Sequence, residues 1–343
     1  MFHLFAAAPP PAGSFDWLAA TPPAVIAAVI AAIVSLIVTA INPLAARNLE
    51  RLKAELAQDN ARDSVRLQYE TEARKKLEPL LFELAEAAEG AYFRVASLVR
   101  SQKTNKLGMA QNSWLAAGAG GSLSYYLVST IYLLFLPLVT YRLIRRSATA
   151  MSLTLDADIR TKYLLLKASA VCFTDDYEIA AFAPALTYEP IRPDWASARL
   201  AQPAVVWRQG LVLGHLEQML DAMIVTDGTE RRPMTYGEFH KALAMGLPDF
   251  MDAAGPALDI FEGFSFPERP VLARILLAQA TLMHLLSKKY GAMPERAEIE
   301  SAIDAFAASQ AARETLLWTG ADAGVWEAVR PYLKHKVNWA YPA

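Results

Sequence analysis

The densest group of side chains with chemical potential is an acidic cluster formed by Asp175, Asp176 and Glu178. Three carboxylates near a helix end could hold a divalent cation or exchange protons in general acid–base catalysis. The same residues could cap the helix that follows, with Asp175 or Asp176 accepting hydrogen bonds from its first-turn amides. We favour capping and retain the three carboxylates as the candidate catalytic residues.

A second cluster is basic and consists of Arg142, Arg145 and Arg146, directly after a long apolar run. Arginine suits phosphate because its guanidinium group offers several N–H donors in a fixed plane. These side chains could therefore contact lipid headgroups, or they could meet the acidic cluster. A simple solvated helix face is the remaining interpretation.

Metal-binding patterns are missing from the sequence. The chain has no HExxH motif, no Glu-x-x-His pair and no pair of cysteines. His215, Glu217, Glu238 and His240 could converge only if their two helices were neighbours. We therefore expect no metal and no cofactor.

Nucleophile and nucleotide motifs are missing as well. The single cysteine, Cys172, lies among apolar neighbours and is expected to be an inert core residue. There is no G-x-S-x-G motif, and the glycine-rich run 118–122 lacks the lysine of a phosphate-binding loop. We interpret that run as a flexible joint.

Composition excludes several classes of protein. The 343 residues are 54% apolar with a net charge of −2 and a mean hydropathy of +0.20, which excludes intrinsic disorder. One cysteine excludes a disulfide framework. Because 33 basic residues face 35 acidic ones, a nucleic-acid partner is not expected.

An uncharged stretch near the N-terminus predicts a membrane anchor. Residues 24–41 are apolar except for Ser35 and Thr39, and as a helix they would rise about 27 Å, close to the ~30 Å hydrocarbon core. A cleaved signal peptide does not fit, because no Lys or Arg precedes Arg47. Basic residues follow the anchor, so we expect the tail outside and the body in the cytoplasm; a bacterial inner membrane would fit.

The domain organisation follows from this anchor. We predict an extracytoplasmic tail at 1–22, a transmembrane helix at 23–44 that ends or kinks near Asn42-Pro43, a juxtamembrane stalk helix at 45–78 and a cytosolic body at 79–343. The body is predicted to be multi-helical, because apolar residues recur at helical spacing through most of it.

Strand signals in the body are scarce. Asp227-Gly228 is a turn sequence, but polar residues rather than a return strand follow it. The predicted fold class is therefore all-α.

A second apolar run, Leu123 to Thr140, is long enough to cross a bilayer. The hydroxyl side chains in its first half, Pro137 and the arginines that follow argue against a span, so we favour a buried or membrane-surface helix. A true second span and a re-entrant element stay open.

These patterns do not specify a biochemical activity. The most economical hypothesis is a membrane-anchored interaction, scaffold or sensor/effector subunit, with the lipid bilayer and a membrane protein as partners. The alternative is a membrane-bound helical enzyme that acts on a lipid or lipid-linked substrate. A third hypothesis, a multi-pass channel or transporter component, requires the second run to span.

Overall fold

A computed structural model describes residues 22–108, 113–116, 123–147, 157–190, 205–228, 230–287, 296–309, 312, 316 and 323–340. Nearly all of the predicted tail and the glycine-rich run 118–122 lie outside these ranges. The chain divides into two compact units, Met1–Tyr69 and Glu70–Ala343.

The fold is all-α, as predicted, with two small pairs of strands. In chain order the elements are α1 (Pro23–Lys103), α2 (Tyr125–Ser147), α3 (Ala157–Cys172), α4 (Asp176–Ala181), β1 (Thr187–Glu189), β2 (Val205–Trp207), α5 (Leu213–Ala222), β3 (Ile224–Asp227), β4 (Glu230–Pro233), α6 (Tyr236–Ala244), α7 (Pro248–Phe261), α8 (Pro270–Leu286), α9 (Arg296–Ala308) and α10 (Ala323–Ala340).

The first unit contains the start of α1. Its apolar side chains, such as Ile30, Ile33 and Leu36, are exposed along the whole predicted anchor. This part of the helix is long and apolar enough to cross a membrane. The helix also continues without interruption through Pro43 and Pro79, so neither the predicted kink nor the predicted stalk boundaries coincide with a break.

The second unit begins within α1, where a buried stripe appears as predicted. Its buried members are Leu77, Leu84, Ala88, Ala91, Val95 and Leu98, and the half-buried Leu81 completes the spacing of four and three residues. Glu83, Glu86 and Glu89 lie on the exposed side. This alternation orients the helix, because burying one apolar face is the main source of its stability.

The second apolar run forms α2 inside the body. Of its most apolar 18 residues, 78% are buried by the rest of the protein. Several of the hydroxyl groups find partners: Tyr132 donates to the carbonyl of Met234 at 2.9 Å, and Tyr126 lies 2.9 Å from the hydroxyl of Ser97. The buried hydroxyl of Thr130 has no partner among the described residues. The structure therefore supports the interpretation as a core helix, because internal partners satisfy groups that lipid would leave unpaired.

The most deeply buried helix is α8, which packs against α3, α4, α9 and α10. It is apolar on all sides, which is typical of a helix surrounded by protein. Apolar residues at helical spacing in the other helices also face the core, namely Ile159, Leu166, Phe173, Leu216, Leu220, Ile299, Ile303, Phe306, Val329 and Leu333. Leu213, which the same spacing assigns to the buried face of α5, is exposed.

One local prediction is wrong. Asp227-Gly228 does turn the chain into a return strand, because β3 pairs antiparallel with β4 from Ile224–Pro233 to Asp227–Glu230. Gly228 has φ +62°, a conformation that glycine adopts without strain. The sequence-based prediction of no return strand failed because the side chains of β4 are polar. Backbone hydrogen bonds pair the two strands, and these do not require alternating apolar residues.

A tight turn between β2 and α5 joins several elements. The N–H of Leu211 donates to the carbonyl of Phe173 at 2.7 Å, and the side-chain carbonyl of Gln209 accepts from Val271 and Leu272 at the start of α8. Between them, Gly210 leaves no room for a side chain. A Cβ there would lie 2.6 Å from the carbonyl oxygen of Phe173.

We predict that Gly210→Ala destabilises the protein by roughly 1–3 kcal/mol, because the added methyl group must displace backbone. Gly255→Ala is the matched control: a Cβ at this position in α7 meets nothing within 4 Å. It should leave stability unchanged or raise it by up to about 1 kcal/mol. Thermal unfolding followed by circular dichroism measures both, and equal melting temperatures for the two variants would contradict the steric argument.

Candidate functional site

The structure places the three predicted carboxylates together but gives them different roles. Asp176 is only 2% exposed. Its Oδ2 atom accepts hydrogen bonds from the N–H groups of Gln209 at 3.0 Å and Gly210 at 3.1 Å, and from the hydroxyl of Tyr188 at 2.8 Å. Its Oδ1 atom accepts from the N–H of Tyr177 at 3.1 Å. Four donors on a buried carboxylate describe a structural anchor for the chain.

Asp175 and Glu178 face a different partner, Lys336 of α10. The Nζ atom of Lys336 lies 2.5 Å from Asp175 Oδ2 and 2.5 Å from Glu178 Oε2. His335 Nε2 lies 3.0 Å from Glu178 Oε1. These contacts dock α10 on the start of α4.

The predicted capping role is formed only in part: Asp176 Oδ1 accepts from the first-turn N–H of Tyr177, whereas Asp175 does not cap the helix. Asp175 occupies the N-cap position of α4, but its side chain makes no capping hydrogen bond. The carboxylate is drawn instead to the ammonium group of Lys336, whose full charge attracts it more strongly than a neutral amide does. Asp176, the other proposed cap, reaches the turn at Gln209 and Gly210 rather than the amides two or three residues along its own helix.

Burial and charge set the protonation of this cluster. Burial alone lowers the pKa of Lys336, but its hydrogen bonds to Asp175 and Glu178 outweigh burial and raise the pKa above the usual value. Burial raises the pKa of the nearby Cys172 thiol to about 12. Cys172 is fully buried, as the sequence predicts for an inert core residue.

Other possible metal ligands are kept apart. Within the described ranges, no three His, Cys, Asp or Glu side chains form a group that could hold a metal ion. Glu217 pairs with Arg142 of α2, whereas Glu238 forms a two-pronged ion pair with Arg232. The possible convergence of these glutamates with His215 and His240 is therefore not formed.

The three arginines of the basic cluster differ in their contacts: Arg142 and Arg146 form ion pairs, whereas Arg145 forms none with the described residues. Arg142 donates from Nε and Nη2 to the two oxygens of Asp221, each at 2.6 Å, and Arg146 donates to the same carboxylate at 2.7 Å. These hydrogen bonds, chiefly those from Arg142, hold the pKa of Asp221 below its usual value. Arg145 points elsewhere and is exposed. Arg142 and Arg146 therefore bind Asp221 rather than the acidic cluster at Asp175, Asp176 and Glu178, and contact of the three arginines with lipid headgroups stays a prediction.

A cavity of about 300 Å³ lies beside Arg145. Its walls come from α2, α3, α5 and α10. The side chains that line it are Tyr141, Arg142, Arg145, Tyr163, Lys167, Ala170, Val171, Thr174, Leu213, Leu216, Glu217, Leu220 and Trp339. This volume is near the lower limit of small-molecule pockets.

A second concavity, which we name the apolar groove, lies between α1, α2 and the β3–β4 hairpin and measures about 410 Å³. It is lined by Phe82, Glu83, Glu86, Ala87, Tyr132, Leu133, Leu136, Thr140, Arg232, Pro233, Met234 and Thr235. Phe82 is 68% exposed at the groove. Burial raises the pKa of Glu83.

The rim of the apolar groove is rigidly built. Thr235 and Glu238 form a reciprocal capping box at the start of α6. The hydrogen bond from Arg232 is the main reason that the pKa of Glu238 falls to about 2. Because the carboxylate is charged at neutral pH, it holds the hairpin residue Arg232 in place.

Sequence reasoning missed several residues in these sites. The partners Glu217 and Asp221 stand four residues apart, as do Arg142 and Arg146, and this matched spacing is a signal for two helices joined by ion pairs. Arg274 could also have been noticed in the sequence, because it is a charged residue within an apolar helix. Its guanidinium group donates to the carbonyls of Ile179 and Phe182 at the end of α4. By contrast, nothing local marks Gln209 as a connector.

Comparison of the chain with protein-family models, with curated proteins and with solved structures finds no match.

We predict that Asp176→Asn is more destabilising than Asp175→Asn. In Asp176→Asn, the side-chain NH₂ group faces donors that now donate to a carboxylate oxygen, and the negative charge of the acceptor is lost. We expect the free energy of unfolding to fall by about 2 kcal/mol. Asp175→Asn should cost less, because the amide oxygen can still accept a hydrogen bond from Lys336, which also keeps Glu178. Thermal unfolding of the two single variants at pH 7 measures the difference. Equal melting temperatures, or a lower one for Asp175→Asn, would show that the Asp176 hydrogen bonds do not hold this junction.

Proposed function

We propose that this protein is a single-pass membrane-anchored interaction protein, with its N-terminal tail outside and its helical body in the cytoplasm. The body binds a protein partner in the membrane complex through the apolar groove. The groove is the observation that carries this proposal, because open apolar concavities on a folded body are typical of binding surfaces.

The anchor supports the membrane part of the proposal. The side chains of Val29, Ile33 and Ile37 are about half exposed, and no other part of the described chain covers them. Such a surface is stable in hydrocarbon and unfavourable in water. The positive residues that follow, Arg47, Arg51 and Lys53, favour a cytoplasmic side for the body.

The chemistry of the groove supports recognition of an apolar segment. Leu133 and Leu136 present half-buried side chains on α2, and Met234 does so from the hairpin. The exposed ring of Phe82 offers a large apolar contact area, which is common in residues that dominate binding energy. Glu83 and Glu86 add acidic groups on the α1 side, so a partner segment with basic residues beside its apolar face would fit best.

The carboxylate cluster supports binding over catalysis. Asp175 and Glu178 are occupied by Lys336, and Asp176 holds backbone amides. A general acid or base needs a free face toward substrate, and these contacts use that capacity within the protein.

The orientation makes a labelling prediction. In a Cys172→Ala background, a membrane-impermeant maleimide should label Ser14→Cys in intact cells. The same reagent should label Thr104→Cys, an exposed position just beyond α1, only after the membrane is opened. Labelling of position 104 in intact cells would overturn the proposed orientation.

The groove makes a cross-linking prediction. With p-benzoyl-phenylalanine in place of Phe82, irradiation of native membranes should produce a discrete adduct heavier than the protein. The matched control carries the same probe at Tyr177, an aromatic residue that is 61% exposed and outside the groove. Mass spectrometry of the adduct identifies the partner.

Adding Leu136→Glu should abolish the adduct at position 82, because a carboxylate in the groove wall opposes apolar binding. Circular dichroism must first show that the double variant is folded. No adduct at position 82, or equal adducts at positions 82 and 177, would contradict a partner in the groove.

A further inference from the structure

The cavity beside Arg145 contains positive charge that no carboxylate in the described part of the chain neutralises. Arg142 is compensated, because it pairs with Glu217 and Asp221. Arg145 has no ion pair among the described residues, and Lys167 contacts the ring of Trp339 instead of a carboxylate. Arg145 and Lys167 therefore line one cavity without an ion pair to any described carboxylate, because Glu217 in the cavity wall pairs with Arg142.

The contact between Lys167 and Trp339 fixes one side of the cavity. The Nζ atom lies 4.4 Å from the ring centroid, within the range of a cation–π interaction. Such a contact leaves the net charge of the ammonium group intact. Lys167 can therefore still attract an anion while the indole ring holds its position.

Aromatic and apolar side chains form the remaining walls. Tyr141 and Tyr163 pack with ring centroids 5.4 Å apart, and Leu216 and Leu220 are buried beneath. An anion that enters this space must carry an apolar or aromatic group to cover these walls, since a bare ion would leave them in contact with water.

We propose that this cavity binds a phosphate monoester attached to a compact apolar or aromatic group, with Arg145 and Lys167 as the phosphate-binding residues. A phosphate monoester approaches a charge of −2 at pH 7, which matches two uncompensated cations. The cavity volume of about 300 Å³ holds a small ligand of this kind. Arg142, fixed by its carboxylates, positions the wall beside Arg145.

Phosphate monoesters of this description come from two sources, soluble aryl or nucleoside phosphates and lipids with a terminal phosphate. The chemistry at Arg145 and Lys167 is the same for both. This inference is independent of the apolar groove and of the anchor's orientation, so it stands or fails separately from the proposed function.

Isothermal titration calorimetry tests the site with the full chain in nanodiscs of phosphatidylcholine. Phenyl phosphate represents the soluble source and dihexanoyl phosphatidic acid the lipid source, and the tighter binder identifies the source. Phenyl sulfate is the charge control, because it has a similar shape but a single negative charge. We expect phenyl sulfate to bind at least about tenfold more weakly than phenyl phosphate, since it can compensate only one of the two cations.

Three variants separate the site from general charge effects. Arg145→Gln and Lys167→Gln should each weaken phosphate binding about tenfold or more. Lys167→Arg should retain it. The matched control is Lys241→Gln, which removes one exposed charge from α6, outside the cavity.

Saturable binding of either phosphate probe, lost in the two cavity variants and kept in the control, supports the site. Three outcomes would overturn it: no saturable binding of either probe, equal weakening by Lys241→Gln, or phenyl sulfate binding as tightly as phenyl phosphate. Circular dichroism and melting temperatures of the variants establish that each is folded.

Discussion

The arrangement of the body depends on the hydrogen bonds that the buried carboxylate of Asp176 accepts. Through them, the amides of Gln209 and Gly210 and the hydroxyl of Tyr188 are held against the first turn of α4. Gln209 in turn accepts from the first amides of α8, so one turn connects α4 to the central helix. A buried anion is tolerated only when donors surround it, and this requirement explains why a glycine must allow the turn to approach so closely.

Two buried arginines make the complementary connection at helix ends. Arg274 binds the carbonyls that close α4, and Arg269 binds those at the end of α7, among them Glu262 at 2.6 Å. The last carbonyls of a helix lack internal partners and carry partial negative charge. A guanidinium group therefore supplies both the missing hydrogen bonds and a compensating positive charge. Burial lowers the pKa of Arg274 to about 10, which still leaves it charged at neutral pH.

These internal connections determine which groups remain for function. The carboxylates nominated for catalysis are used in packing, and so are Arg142, Arg232 and Lys336. Arg145, Lys167 and the apolar groove are features that packing does not explain. A surface that keeps uncompensated charge or uncovered apolar area does so at a cost in stability, and binding partners are the usual reason that such surfaces persist.

The all-α class, the exposed apolar helix and the buried stripes could be predicted from the sequence, because each depends on spacing along a single helix. The residues of the acidic and basic clusters could be identified in the same way. Their partners could not be predicted, because they are distant in the chain: Lys336 lies 158 residues beyond Glu178, and Asp221 lies 79 residues beyond Arg142. The β3–β4 hairpin was missed because its stability comes from backbone pairing and packing on α2, neither of which its polar sequence displays. Local periodicity encodes which face of an element is buried, whereas the choice between capping, ion pairing and an open binding site depends on what the fold brings to that face.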